Sequence, residues 1–224
     1  MKSVRSLLLP IVALCLVIAP PLLAKKQELP EVTEDGLHRV PDSKMAVVYA
    51  EPGADLGQYQ RVQLLPAYVA FKKNWARDQR SRSAQPFKVK ERDIEKIKTD
   101  LANEFDAVFR TVLKEGGYRV VDKAADDVLL VRPAIINLDV NAPDTPSPGR
   151  SYTFTRSAGE MTLYIEIYDS VTGDLIAKAL DRRIDNSRAG LYTWTTSVTN
   201  RAAADRILKG WADILLEALD EAKQ

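Results

Sequence analysis

The chain has 224 residues, with 32 basic and 31 acidic side chains, one histidine and one cysteine, and 46% of it is hydrophobic. Such a balance gives no overall attraction to nucleic acid or to an anionic membrane, and the apolar share suits a folded domain rather than a disordered chain. One histidine and one cysteine are too few for a zinc site built from those residue types.

The first residues read as an export signal. Lys2 and Arg5 precede an uncharged, mostly apolar run from Leu7 to Ala24, and Lys25 and Lys26 follow it. Cleavage is expected after Ala24, because Pro20 and Pro21 break the apolar helix just before it. A cut after Ala19 would put proline beside the scissile bond. The three prolines of the run, Pro10 included, also argue against an uncleaved spanning helix. A lipoprotein reading of Cys15 fails, since Leu14 stands where a small residue is needed and the apolar run continues through Leu16, Val17 and Ile18. The mature chain then has no cysteine and no disulfide. Roughly 200 residues remain, enough to bury a core without staples. The expectation is a periplasmic protein with no transmembrane span after processing.

Residues 25–58 read as an extended arm, punctuated by Pro30, Gly36, Pro41, Pro52 and Gly53, whose apolar patch from Met45 to Tyr49 could supply an edge strand. Residues 59–224 read as one domain. Arg61 to Phe71 is its first strand, with Pro66 implying an edge position or a bulge. Lys72 to Arg92 follows as a polar, basic loop. Glu91 to Glu115 is an amphipathic helix: Ile94, Ile97, Leu101, Phe105, Val108, Val112 and Leu113 recur at three- and four-residue steps, and Gly116-Gly117 supplies a left-handed end. Tyr118 to Val121 is a short strand. Asp126-Asp127 marks a turn before a longer strand, Val128 to Val140, which is apolar on both faces at its start, as a central strand is. Asn141 to Ala158, with Pro143, Pro146, Pro148 and Gly149, is a long loop.

Glu160 to Asp185 predicts a hairpin around Ser170-Val171-Thr172-Gly173, closed by a type I turn with Gly173 as the left-handed residue of a bulge. This three-residue loop pairs Ser170 with Asp174, Ile167 with Ala177, Ile165 with Ala179 and Glu166 with Lys178. A slip of one residue would put Lys178 opposite Ile165 on the buried face. One face then carries Leu163, Ile165, Ile167, Leu175, Ala177 and Ala179, and the other Tyr164, Glu166, Tyr168, Ile176, Lys178 and Leu180. Asn186 to Thr196 is irregular, with Tyr192 and Trp194, and a last helix runs from about Asn200 to Ala222. The order predicts an α+β fold: a two-layer α/β sandwich in which a mixed, mostly antiparallel sheet of four to five strands carries two helices on one face.

Several of these segments resemble one known pattern. Pro52-Gly53-Ala54-Asp55-Leu56 with Tyr59 and Val62, Gly117-Tyr118 with Val120-Val121, Asp169 to Asp174, and Trp211-Ala212 with Leu219-Asp220 are similar to the DUF3313 family, bacterial exported proteins and lipoproteins of unassigned function. The resemblance spans nearly the whole mature chain and implies an envelope location and a shared fold. It departs from lipidated members in lacking an acylatable cysteine, and it brings no catalytic residues.

His38 lies in the arm and reads as a solvated residue, so a Ser-His-Asp triad has little to draw on. Asp169, Thr172 and Gly173 are turn formers without the alternating acidic ligands of a calcium loop. Gly116-Gly117 follows a helix and precedes a strand, the reverse of a phosphate-binding loop. No cofactor is implied. Two surfaces stand out as candidate binding sites. In the basic segment, Lys72, Lys73, Arg77, Arg80, Arg82, Lys88, Lys90 and Arg92 face only Asp78 and Glu91, with Trp75 and Phe87 between them, a composition suited to an anionic envelope component. On the second hairpin face, Tyr164, Tyr168 and Lys178 suit an envelope protein. The leading expectation is a non-enzymatic envelope protein that works by binding, without nucleic acid. A periplasmic carrier of a small ligand or lipid is the alternative, and a carboxylate-based hydrolase a third reading.

Overall fold

The computed structural model describes residues 29–82, 90–140, 154–155, 159–184, 193–194 and 197–223. The expected export signal, Phe87 and Lys88, most of the 141–158 loop and Tyr192 lie outside them.

The sheet contains eight strands rather than four to five. Its main path runs β1 (His38–Arg39), β2 (Val47–Ala50), β9 (Leu175–Ile184), β8 (Gly159–Asp169), β6 (Val128–Val140), β3 (Arg61–Leu64) and β5 (Arg119–Val120), and β4 (Tyr68–Phe71) also pairs with β6. The lead-in causes part of the difference, because β2 pairs antiparallel with β9 and β1 with β2. Pro66 causes more of it. Proline cannot donate to a ladder, so the expected strand from Arg61 to Phe71 breaks into β3 and β4, which lie one after the other along β6, both parallel to it. The other neighbours of β6, β8 and β9 pair antiparallel, which leaves the sheet mixed. A two-stranded ribbon, β7 (Phe154–Thr155) with β10 (Thr193–Trp194), stands apart.

Among the described residues there are three α-helices instead of two. The additional one, α1 (Trp75–Arg82), occupies the segment expected to be a basic loop. Its only large apolar residue is Trp75, so the spacing carried no helical period; the helix is held by Trp75 packing against Phe71 and Ile94. α2 (Glu91–Glu115) starts with the Lys90 N–H donating to the Asp93 carboxylate at 3.0 Å. It ends at Gly116-Gly117, where Gly117 takes φ +87°. α3 (Ser197–Glu221) lies beside it. Phe105, Phe109 and Leu113 of α2 and Leu208, Trp211 and Leu219 of α3 meet Leu163, Ile165 and Ile167 of β8 in one core.

The central hairpin keeps the expected pairs Ile167 with Ala177, Ile165 with Ala179 and Glu166 with Lys178. Its tip differs. The Asp169 N–H donates to the Asp174 carbonyl and the Gly173 N–H to the Asp169 carbonyl, so the loop closes at Asp169 and Asp174 rather than at Ser170 and Asp174. The residue gained is absorbed one step along the ladder, where Tyr168 pairs with Leu175 and Ile176 bulges. Ile176 is thereby buried in the core, not set on the second face. Gly173 does hold the left-handed position, at φ +75°.

Asp181 ties the two ends of the chain to the sheet. It is buried, and its carboxylate accepts from the Ala46 N–H at 3.1 Å, the Trp211 indole at 2.8 Å and Arg183 Nε at 3.0 Å. Replacing it by alanine leaves a buried indole and a backbone N–H without an acceptor. Asp181→Ala is therefore expected to cost about 2–4 kcal/mol, within the range for stranding two such donors. Urea unfolding measures this, and a loss under 1 kcal/mol, roughly one ordinary hydrogen bond, would contradict it.

Candidate functional site

Helices α2 and α3 cover one face of the sheet, and the alternation along β8 sends Tyr164, Glu166 and Tyr168 to the other. The pairing registers lay out that second face in rows. Tyr68, Ala134, Tyr164, Leu180 and Val47 stand side by side across β4, β6, β8, β9 and β2. One step along, Arg132, Glu166, Lys178 and Tyr49 form the next row. On the opposite side, Asp139 pairs with Glu160, beyond the row of Ile136, Thr162 and Arg182.

The Glu166 row is a closed polar network. Glu166 is 9% exposed, and it accepts from Tyr164 Oη at 2.6 Å, Tyr168 Oη at 3.0 Å and Arg132 Nε at 2.5 Å. The Arg132 guanidinium also lies over the Tyr168 ring, 5.2 Å from its centroid. Burial works to raise the Glu166 carboxyl, but the hydrogen bonds from Tyr164, Tyr168 and Arg132 outweigh it and hold the group below the usual carboxylate range. Burial, and then the carboxylate acceptor, push the hydroxyls of Tyr164 and Tyr168 above the usual tyrosine value. Lys178, directly opposite Glu166, pairs with Asp35 at the tip of a turn in the arm.

That arm covers one side of the face. Leu37 is 2% exposed, the Thr33 N–H donates to the Leu37 carbonyl, and Tyr49 Oη donates to the Pro30 carbonyl at 2.8 Å. Away from it the face stays open: Tyr68 is 66% exposed, Leu180 38% and Ile184 40%. At the far end a second ionic cluster frames the row. Lys72 Nζ lies 3.4 Å from Asp139 and 3.8 Å from Glu160, and Arg182 pairs with Glu160.

The sequence-derived candidates thus fall in two places. Tyr164, Tyr168 and Lys178 share the second face. Lys72, Lys73, Trp75 and Arg77 gather where β4 runs into α1, and of these only Lys72 reaches across to the face, through Asp139 and Glu160. Trp75 is 4% exposed, stacks on Phe71 at 4.1 Å and donates its indole N–H to the Val140 carbonyl, so it is a wall of the fold and not a projecting anchor. The backbones of Arg80 and Arg82 belong to α1, and their side chains lie outside the described part. Two residues of the face were missed in the sequence. Arg132 interrupts an otherwise apolar strand at Val131-Arg132-Pro133, a break that signals a charge with a dedicated partner. Tyr68 follows Pro66 in the stretch expected to be one strand with a bulge or an edge position at the proline, and nothing in that reading assigns it to this face. Among the described residues no group of three or more His, Cys, Asp or Glu is placed to hold a metal, and no helix is long and apolar enough to cross a membrane.

The ionisations set the pH dependence of this cluster. A carboxyl held low in the folded state stabilises above its unfolded value, and that stability is lost as pH falls through the folded value; a phenol held high stabilises below its usual value and loses that as pH rises through the raised one. Glu166→Gln is expected to lower stability at neutral pH by about 1–3 kcal/mol and to flatten the acid limb. Tyr164→Phe is expected to flatten the alkaline limb. Urea midpoints across pH read both, and unchanged limbs would contradict the assignment.

Three solved structures are weakly similar to this chain. The PelC dodecamer from Paraburkholderia phytofirmans shares 15% identity over 72% of this chain and 94% of that one, with a TM-score of 0.35. A minor lipoprotein from Acinetobacter baumannii shares 10% over 71% and 94%, at 0.33. A DUF330 protein from Xanthomonas campestris shares 14% over 75% and 86%, at 0.38. Scores this low carry no argument about activity. No curated protein matches the sequence. The model of one family, described as a protein of unknown function, matches residues 32–215, and on that match the chain belongs to the DUF3313 family.

Proposed function

We propose that this protein is an exported, non-enzymatic component of the bacterial cell envelope that docks a protein partner on its open sheet face. Export rests on residues 1–24 read as a cleaved signal, with residues 25–58 as an arm laid against the domain and 59–224 as the domain itself. The observation that carries the docking reading is the row of Tyr68, Tyr164 and Leu180: aromatic and aliphatic side chains, partly open, framed on both sides by ion pairs. An apolar and aromatic centre with a polar frame is the anatomy of a protein interface. An anionic polymer fits this face less well, because Arg132, Lys178 and Arg182 each already face a carboxylate. Glu166 suits support rather than acid–base chemistry. It is held ionised, so it has no proton to give at neutral pH, and three donors occupy its oxygens.

Photo-cross-linking in the envelope tests this. Probes at positions 68 and 180 are expected to give one discrete protein adduct, probes at 209 and 213 on the outer side of α3 none, and Leu180→Asp is expected to abolish the adduct from position 68. Equal adducts from both sides of the molecule, or none from folded and abundant protein, would overturn the proposal.

A further inference from the structure

A second site lies on the helical side, where β4 meets α1 and α2. An open groove of about 240 Å³ runs there, with Phe71, Trp75 and Ile94 among its apolar lining and Lys72, Arg77 and Lys98 as its charged lining. Phe71, Trp75 and Ile94 belong to an apolar cluster of their own beside the main core, so the floor is packed. None of the residues lining the groove is acidic. The carboxylates that pair with its cations, Asp139 and Glu160 with Lys72, Asp78 with Arg77 and Glu95 with Lys98, all stand outside the lining.

Two of the groove's cations sit in exposed pairs, Lys72 at 53% and Arg77 at 73% exposure, while Lys98 is 32% exposed. Ion pairs that exposed contribute little and exchange partners readily. Lys73, next to Lys72, carries no ion pair among the described residues. The whole segment from Lys72 to Arg92 has eight basic side chains against two acidic ones.

We propose that this groove binds the phosphate head group of an anionic lipid, with the phosphate between Lys72, Arg77 and Lys98 and the glycerol region against Phe71 and Ile94. Charge complementarity selects the head group. Volume sets the extent. The groove, about 240 Å³ and open to solvent, is of head-group size and far too small to enclose two acyl chains. Trp75 stays in the wall and does not insert. The site lies off the open face and does not depend on the docking reading.

The test is co-sedimentation of the whole mature protein with phosphatidylcholine vesicles, with and without phosphatidylglycerol. Wild-type protein is expected to bind only the anionic vesicles. Arg77→Glu with Lys98→Glu is expected to weaken binding about tenfold or more, while Lys114→Glu with Lys209→Glu, the same charge change elsewhere, leaves it within about threefold. Ala76→Trp, which fills the groove at constant charge, is expected to weaken it as well; a thermal unfolding scan checks that this variant folds, and the exposed Arg77 and Lys98 pair carries the test if it does not. Equal weakening by both double variants would make the attraction one of net charge and overturn the site. Displacement by inorganic phosphate as effectively as by a soluble short-chain phosphatidic acid would make the free anion the ligand and overturn the lipid assignment.

Discussion

Both faces of this protein depend on the period-two alternation of β8, held between β6 and β9. Leu163, Ile165 and Ile167 point to the helices while Tyr164, Glu166 and Tyr168 point away, and because both neighbours are hydrogen-bonded along its length, β8 cannot slide by one residue without exchanging the two sets. Such an exchange would drive Glu166 among Phe105, Phe109 and Trp211 and put three branched side chains in the open. The penalty of burying an uncompensated carboxylate makes the register one of the firmest features of the fold. The polar network of the second face can therefore be built from side chains one hydrogen bond apart, on strands of fixed register.

The two candidate sites use charge differently. On the open face Arg132, Tyr164 and Tyr168 converge on the buried Glu166, which orders one side of the aromatic row before any association. At the groove between β4, α1 and α2, Lys72 and Arg77 stand over an apolar floor in exposed pairs that contribute little. Lys72 sits at the junction and touches both arrangements through Asp139 and Glu160.

Much of this was legible from local signals. α2 announces itself by its apolar steps and its glycine end, β6 by its doubly apolar start, and the middle of the hairpin by the cost of placing Lys178 opposite Ile165. What escaped depends on distant partners. α1 has no apolar period and exists because Trp75 finds Phe71 and Ile94. The bulge at Ile176 is set by how Asp169 closes the loop: its carboxylate accepts from the N–H groups of Val171 and Thr172, an arrangement sequence alone leaves equal to a shorter turn. The edge strand expected from Met45 to Tyr49 is present as β2, but that it pairs with β9 is visible only once the strand order is known. The Glu166 network escaped for the same reason, since Arg132 lies 34 residues away in the chain and becomes its neighbour only through the pairing of β6 with β8.

The Asp181 contact has a bearing on how the chain can reach this state. Its acceptor oxygens join Ala46, 135 residues earlier, to Trp211 in the last helix, and Lys44 meets Glu217 across 173 residues. Contacts of such sequence separation are made late, because the whole intervening loop must be closed before they return anything. β2 cannot pair until β9 has been made, and Lys44 finds Glu217 only once α3 is in place. The first strands of the sheet thus close last, so the order in which the chain is made is not the order in which its sheet can be completed.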